Sequence, residues 1–254
     1  RAVEEAAVLW QICQSTAAFL RELFFRIAGC GGTFPCGSIR AQADSLPRCA
    51  AVAERTKGEN AMSRTYSPKI ANVIRKALMD EEWNSPFEER DGQFIFTMGM
   101  HAPIKSLGFV IEVCKNHYMI YGMSPVGPDS EDAQQMQRTA EYLTRANYDL
   151  KNGCFEMDWR DGEVRYRIYE DCDGMRLSQK VVRNGIAFLA LTFERYSQGL
   201  LNVIFGNQTP EEAIELAHRK ALEEIEYLRR EVEKELEKRM QEQQEKEEGL
   251  EDLK

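Results

Sequence analysis

The stretch from 86 to 171 constrains the fold of this chain more than any other part of it. Two segments alternate apolar and polar side chains, PFEERDGQFIFTMGM (86–100) and LGFVIEVCKNHYMIYGM (107–123). A helical segment follows, SEDAQQMQRTAEYLTRANYDL (130–150), and then a further alternating pair, GCFEMDWRDGEVRYRIYED (153–171). Period-two alternation predicts a sheet with one apolar and one polar face. Phe94, Phe96 and Met98 share a face, as do Phe109, Ile111 and Val113, while Glu112 and Lys115 mark the other side as partly wet. Phe155, Met157 and Trp159 point one way; Glu156, Asp158 and Arg160 point the other. Beyond the turn, Val164, Tyr166 and Ile168 oppose Arg165 and Arg167. Asp161-Gly162 predicts a two-residue hairpin turn, because such turns need positive φ. Asn116-His117 closes the other hairpin, and Asp91-Gly92 suits a turn leading into the first strand. The β-β-α-β-β order therefore predicts an α+β fold, an antiparallel sheet packed by helices on one face.

Three helices supply that cover. The first is predicted over 68–83, with Ser67 as N-cap, Pro68 at the first helical position and a stripe of Ile70, Val73, Ile74, Ala77 and Leu78. The second covers about 130–146, capped by Ser130 or Asp129, with Ala133, Met136, Ala140 and Leu143 facing inward. The third covers about 178–205, opened by Leu177-Ser178 and closed by Gly206-Asn207, with Gly199 as a place to kink or split. Residues 62–208 thus form one domain, large enough to bury most of its apolar surface.

A C-terminal charged helix or tail occupies 209–254. Thr209-Pro210-Glu211-Glu212 is a helix start. Leu222, Ile225, Leu228, Val232 and Leu236 recur at steps of three or four, flanked by acid–base pairs such as Glu226–Arg230 and Glu235–Arg239. The expected state is a solvated helix docking its first turns on the domain, with a dimerising coiled coil as the sharper alternative.

Net charge is −9, and residues 211–254 contribute most of it, with 9 basic and 16 acidic side chains. A main activity on nucleic acid phosphates is disfavoured by that balance. No segment reaches the run of about 18 uncharged apolar residues that spans a membrane. Seven cysteines sit at spacings that demand no disulfide, so a reducing cytoplasm is expected, with strand cysteines as small apolar fillers. Residues 1–61 read differently from the rest: an apolar helical stretch over 2–28, then breaker-rich loop or disorder. They are expected to be a mis-called start, a fusion remnant or a dispensable extension, Met62 looking like a native start, with a genuine but poorly ordered N-terminal helix as the alternative. Ile27-Ala28-Gly29-Cys30 matches a lipoprotein box, but Arg21, Glu22 and Arg26 interrupt the apolar core such a signal needs.

The landmarks of 68–206 resemble the YbjN family of bacterial proteins. They are the opening helix KIANVIRKALMDEEW, the strands around GFVIEV, the helix ending YLTRANYDL, the pair GCFEMDWRDGEVRYRIY, and Leu177-Ser178 before a long apolar helix. The resemblance implies the fold of type III secretion chaperones and a sensory-transduction regulator or chaperone-like role without chemistry of its own. It also implies that Asn147 sits where helix hands over to strand and that Ser178 caps the next helix. Residues 1–61 and the acidic tail past about 220 depart from the family pattern.

Chemistry-bearing motifs are sparse. Cys114-x-x-His117 has ligand-like spacing without a second pair, and Cys30 and Cys36 lack redox spacing. Asp171, Asp173 and Gly174 hint at a calcium loop but lack its remaining ligands, and Asp158 and Asp161 read as solvated turn acids. The expectation is a cytoplasmic, non-enzymatic module that uses no cofactor and no metal. It binds a protein partner, with a homodimer as a second option, and engages neither nucleic acid nor membrane. Arg165, Arg167 and Tyr169 on the outer sheet face are the candidate contacts. An enzyme would instead show a cleft gathering Cys114, His117 or His101.

Overall fold

The computed structural model describes residues 65–251 except 84, 86, 89, 90, 101 and 102; in the last helix, side chains are described only to 234, without 224, 228, 231 and 232. The expectations for residues 1–61 lie outside the described residues.

Helix α1 (Pro68–Asp80) starts as its sequence dictates. The Ser67 hydroxyl accepts from the Ile70 amide, and Ile70, Ala71, Ile74, Ala77 and Leu78 are buried. It stops three residues earlier than the apolar pattern suggested. Glu82 adopts a left-handed conformation at φ 56°, and the Trp83 amide closes back on the Leu78 carbonyl at 2.9 Å.

Six strands follow: β1 (Phe87–Glu88), β2 (Gln93–Gly99), β3 (Ser106–Val113), β4 (His117–Met123), β5 (Cys154–Met157) and β6 (Val164–Asp171). All neighbours are antiparallel, in the order β1-β2-β3-β4-β6-β5. Strand β4 therefore pairs with the second arm of the later hairpin, and β5 becomes an edge. Helix α2 (Ala133–Asp149) makes the connection. Its cap is Asp132, which accepts from the Gln134 and Gln135 amides, while Asp129 instead turns the loop by accepting from the Glu131 amide. Helix α3 (Gln179–Ile204) is capped by Ser178 and runs unbroken through Gly199. Helix α4 (Pro210–Glu251) opens on a reciprocal capping box. The Thr209 hydroxyl accepts from the Glu212 amide and the Glu212 carboxylate from the Thr209 amide.

The described helices pack on one face of the sheet, the arrangement that the alternation predicts. Phe94, Phe96, Met98, Phe109, Ile111, Tyr118, Ile120, Phe155, Val164, Tyr166 and Ile168 all enter one core with α1, α2, α3 and the first turns of α4. Trp83 stacks on Phe96 and Phe96 on Phe109, with centroids 5.7 and 4.9 Å apart. Phe155 meets Tyr166, Phe193 and Tyr196 edge-on.

The β5–β6 connection departs from the sequence reading. It is a four-residue loop, Trp159 to Gly162, closed by the Asp158 amide on the Glu163 carbonyl at 2.9 Å. The Asp158 carboxylate captures the Arg160 amide at 2.9 Å, which starts the turn before the alternation would end. Gly162, at φ 77°, completes it. Trp159 consequently sits in the loop, 59% exposed, instead of on the apolar face.

Candidate functional site

The side of the sheet away from the helices carries the candidate contacts. Register places Ile95, Val110, Tyr121, Arg167 and Cys154 in one row across β2, β3, β4, β6 and β5. Thr97, Gly108, Met123, Arg165 and Glu156 form the next row, and Gln93, Glu112, Met119 and Tyr169 a third. The face changes character along each row, from apolar at β2–β4 to charged at β6–β5. Ile95, Val110, Tyr121 and Met123 make a small second core, flanked by Met119, that includes no described helical residue. Glu112 is 2% exposed, so this part of the face is dry where the sequence suggested a wet one.

At the charged end one carboxylate holds two guanidinium groups. Arg165 Nε reaches Glu156 Oε2 at 2.8 Å, and Arg167 Nε reaches Oε1 at 2.6 Å. Arg165 also lies over the Tyr121 ring, 5.1 Å from its centroid. Burial pushes the Tyr121 phenol up to about 12, an effect Glu112 adds to and the two arginines oppose. Its hydroxyl donates to Met119 Sδ at 3.2 Å. Glu163 is raised chiefly by burial.

The structure thus brings Arg165 and Arg167 together, but on Glu156. Arg165 is 19% exposed in its side chain and Arg167 36%. Charge reversal at Arg165 would face Glu156 and damage the sheet, so it is a poor probe of binding. Tyr169, two residues beyond Arg167 on the same face, is 49% exposed, with its ring 5.0 Å from that of His117. Of the three predicted contacts, Tyr169 and Arg167 are the accessible ones. Glu156 organises both arginines, and alternation alone places it no further than the polar face of its strand. Its register opposite Arg165 is the signal that could have found it.

The other motifs stay apart. Cys114 and His117 bracket the β3–β4 hairpin, joined through the Cys114 amide and the His117 carbonyl at 2.9 Å. Cys114 is disulfide-bonded, whereas Cys154 and Cys172 are free thiols. Cys114 is 2% exposed, the buried setting expected of a small apolar strand residue. His101 lies outside the described residues. Asp171 accepts from the Asp173 amide at 3.0 Å, an ordinary Asx turn. No three His, Cys, Asp or Glu side chains among the described residues gather in a metal-binding group. The His218–Asp149 pair, 3.0 Å apart, ties α4 to the end of α2 and could not be read from sequence. Among the described residues no helix is long and apolar enough to cross a membrane.

These features define an α+β domain with a helix-covered sheet and a second, mixed apolar and charged sheet face. No family model matches the chain, and no curated protein does.

Proposed function

We infer that this chain is a non-enzymatic protein-interaction module of the YbjN, secretion-chaperone-like type, acting as a chaperone or regulator for a protein partner. The observation that supports the reading most is the Arg167–Tyr169 strip on β6. It sets an accessible tyrosine beside an arginine oriented by Glu156, on the strand that lies between β4 and β5. Tyrosine and arginine are the residue types on which binding energy concentrates, and a pre-oriented arginine loses little entropy on binding. The cytoplasm is the proposed compartment. Thiol alkylation in intact cells tests it, since a persistent Cys114 disulfide would mark an oxidising one.

The contact surface is tested with a photo-crosslinking amino acid at position 169 in the full chain, and at the exposed Tyr148 as control. Capture of one stoichiometric protein from position 169 alone, lost on Arg167→Ala, is the expected result. Equal capture from both positions, or from neither, rejects this surface.

A further inference from the structure

We propose that the apolar stretch 2–28 of this same chain lies across the second sheet face, over β2–β4, and is fastened there through Cys114. The face is buried more deeply than its own neighbours explain. Ile95, Val110, Tyr121 and Met123 are 7% exposed or less, and the polar Gln93 and Glu112 beside them are 3% and 2% exposed. Side chains stand roughly perpendicular to a sheet, so neighbours in the plane shield their flanks and leave their tips to solvent unless something lies on top. Among the described residues this cluster holds strand residues alone. The cover ends within one row: Tyr169, which shares the row of Gln93, Glu112 and Met119, is 49% exposed. An occupant of β2–β4 therefore leaves the Arg167–Tyr169 strip open, and this inference is independent of the partner surface proposed there.

The chain's own covalent path selects the occupant. Of the seven cysteines, Cys114 is disulfide-bonded while Cys154 and Cys172 are free. The partner of Cys114 within the chain is thus one of Cys13, Cys30, Cys36 and Cys49, all within 1–61. Cys114 follows Val113, which faces the helices, so alternation sets it on the side of Val110 and Glu112. The chain also enters the described fold at this point: the Ser67 amide donates to the Cys114 carbonyl at 3.0 Å. Within 1–61 the stretch 2–28 is the apolar part, whereas the remainder is rich in breakers. The acidic tail is no competitor, because α4 docks against α2 and α3 on the other side of the sheet. Closing the bond transfers two electrons and two protons from the two thiols to an oxidised disulfide such as glutathione disulfide. Apolar contact holds the stretch with the bond open, and the bond fastens it.

A non-reducing peptide map of the native full chain in a glutathione redox buffer tests the fastening. The expected result joins the Cys114 peptide to one from residues 1–61. Cys114 joined to Cys154, to Cys172 or to a second copy, or joined to no cysteine of the chain, overturns it. Hydrogen peroxide oxidation, read at each methionine, tests the cover. Met123 should be as protected as Met98 in the core, while the exposed Met175 oxidises. Leu20→Glu combined with Phe24→Glu should speed oxidation of Met123 about tenfold or more and leave Met98 unchanged. An unprotected Met123 in the wild type, unchanged protection in that variant, or an equal rise at Met98 overturns the proposal.

Discussion

Gly199 shows how one residue carries tertiary information. In isolation a glycine inside a 26-residue helix weakens it by about 1 kcal/mol relative to alanine, which is why it reads as a break. The helix instead runs straight through. The space a Cβ would fill is taken by the Tyr142 ring and hydroxyl, and that hydroxyl donates to the Tyr196 carbonyl at 2.7 Å. Gly199→Ala should therefore lower stability by about 1–3 kcal/mol in spite of its better helix propensity, because overpacking outweighs propensity. Urea unfolding measures the difference; a stabilised variant would refute the packing argument. Arg165 and Arg167 teach a related lesson. Their side of the strand was legible from alternation, but their engagement by Glu156 depends on which residue lies opposite them.

Among the elements, edge strand β5 is the most informative. It is four residues long, and its outer side is closed by a side chain instead of a strand. Asn147, near the end of α2, donates to the Phe155 carbonyl at 2.9 Å and accepts from the Phe155 amide at 2.7 Å. An amide side chain thus imitates the missing neighbour and blocks strand addition at that edge. The position of Asn147 at the helix-to-strand handover was anticipated; its bonds to the edge were not. Asn147→Ala leaves two partly buried backbone groups unpaired and should cost about 1–3 kcal/mol. Hydrogen exchange at the Phe155 amide should speed up more than exchange in β3. Uniform change across the sheet would mean that Asn147 acts only on global stability. The β5–β6 loop illustrates a different outcome, where the turn and its acids are visible in the sequence but the turn's length is not. Alternation alone extends the charged strand face to Asp158, whereas its carboxylate nucleates the turn. Arg160 beside it holds that carboxyl down at about 2.

For the whole molecule, five tyrosines are buried, each 2% exposed or less: Tyr118, Tyr142, Tyr166 and Tyr196 in the core between sheet and helices, and Tyr121 on the opposite sheet face. Burial raises all five phenols above their ordinary value of 10. The folded chain then holds protons that the unfolded chain releases, so stability is intact below pH 10 and falls as pH rises beyond it. Alkaline titration followed by tyrosine absorbance should show these five ionising together with loss of near-ultraviolet dichroism. Their stepwise ionisation in a still-folded protein would contradict this.

Sequence alone determined the α+β class, the one-sided helix cover, the cap at Ser67 and the helix starts at Leu177-Ser178 and Thr209. Each rests on periodicity or on hydrogen bonds within four residues, and such signals are written locally. Tertiary structure alone decided that β4 pairs with β6, that Asn147 closes β5, that Gly199 receives Tyr142 and that Glu156 binds both arginines. Those contacts join residues far apart in the chain, or depend on which strand lies beside which, and no local pattern of side chains encodes that choice.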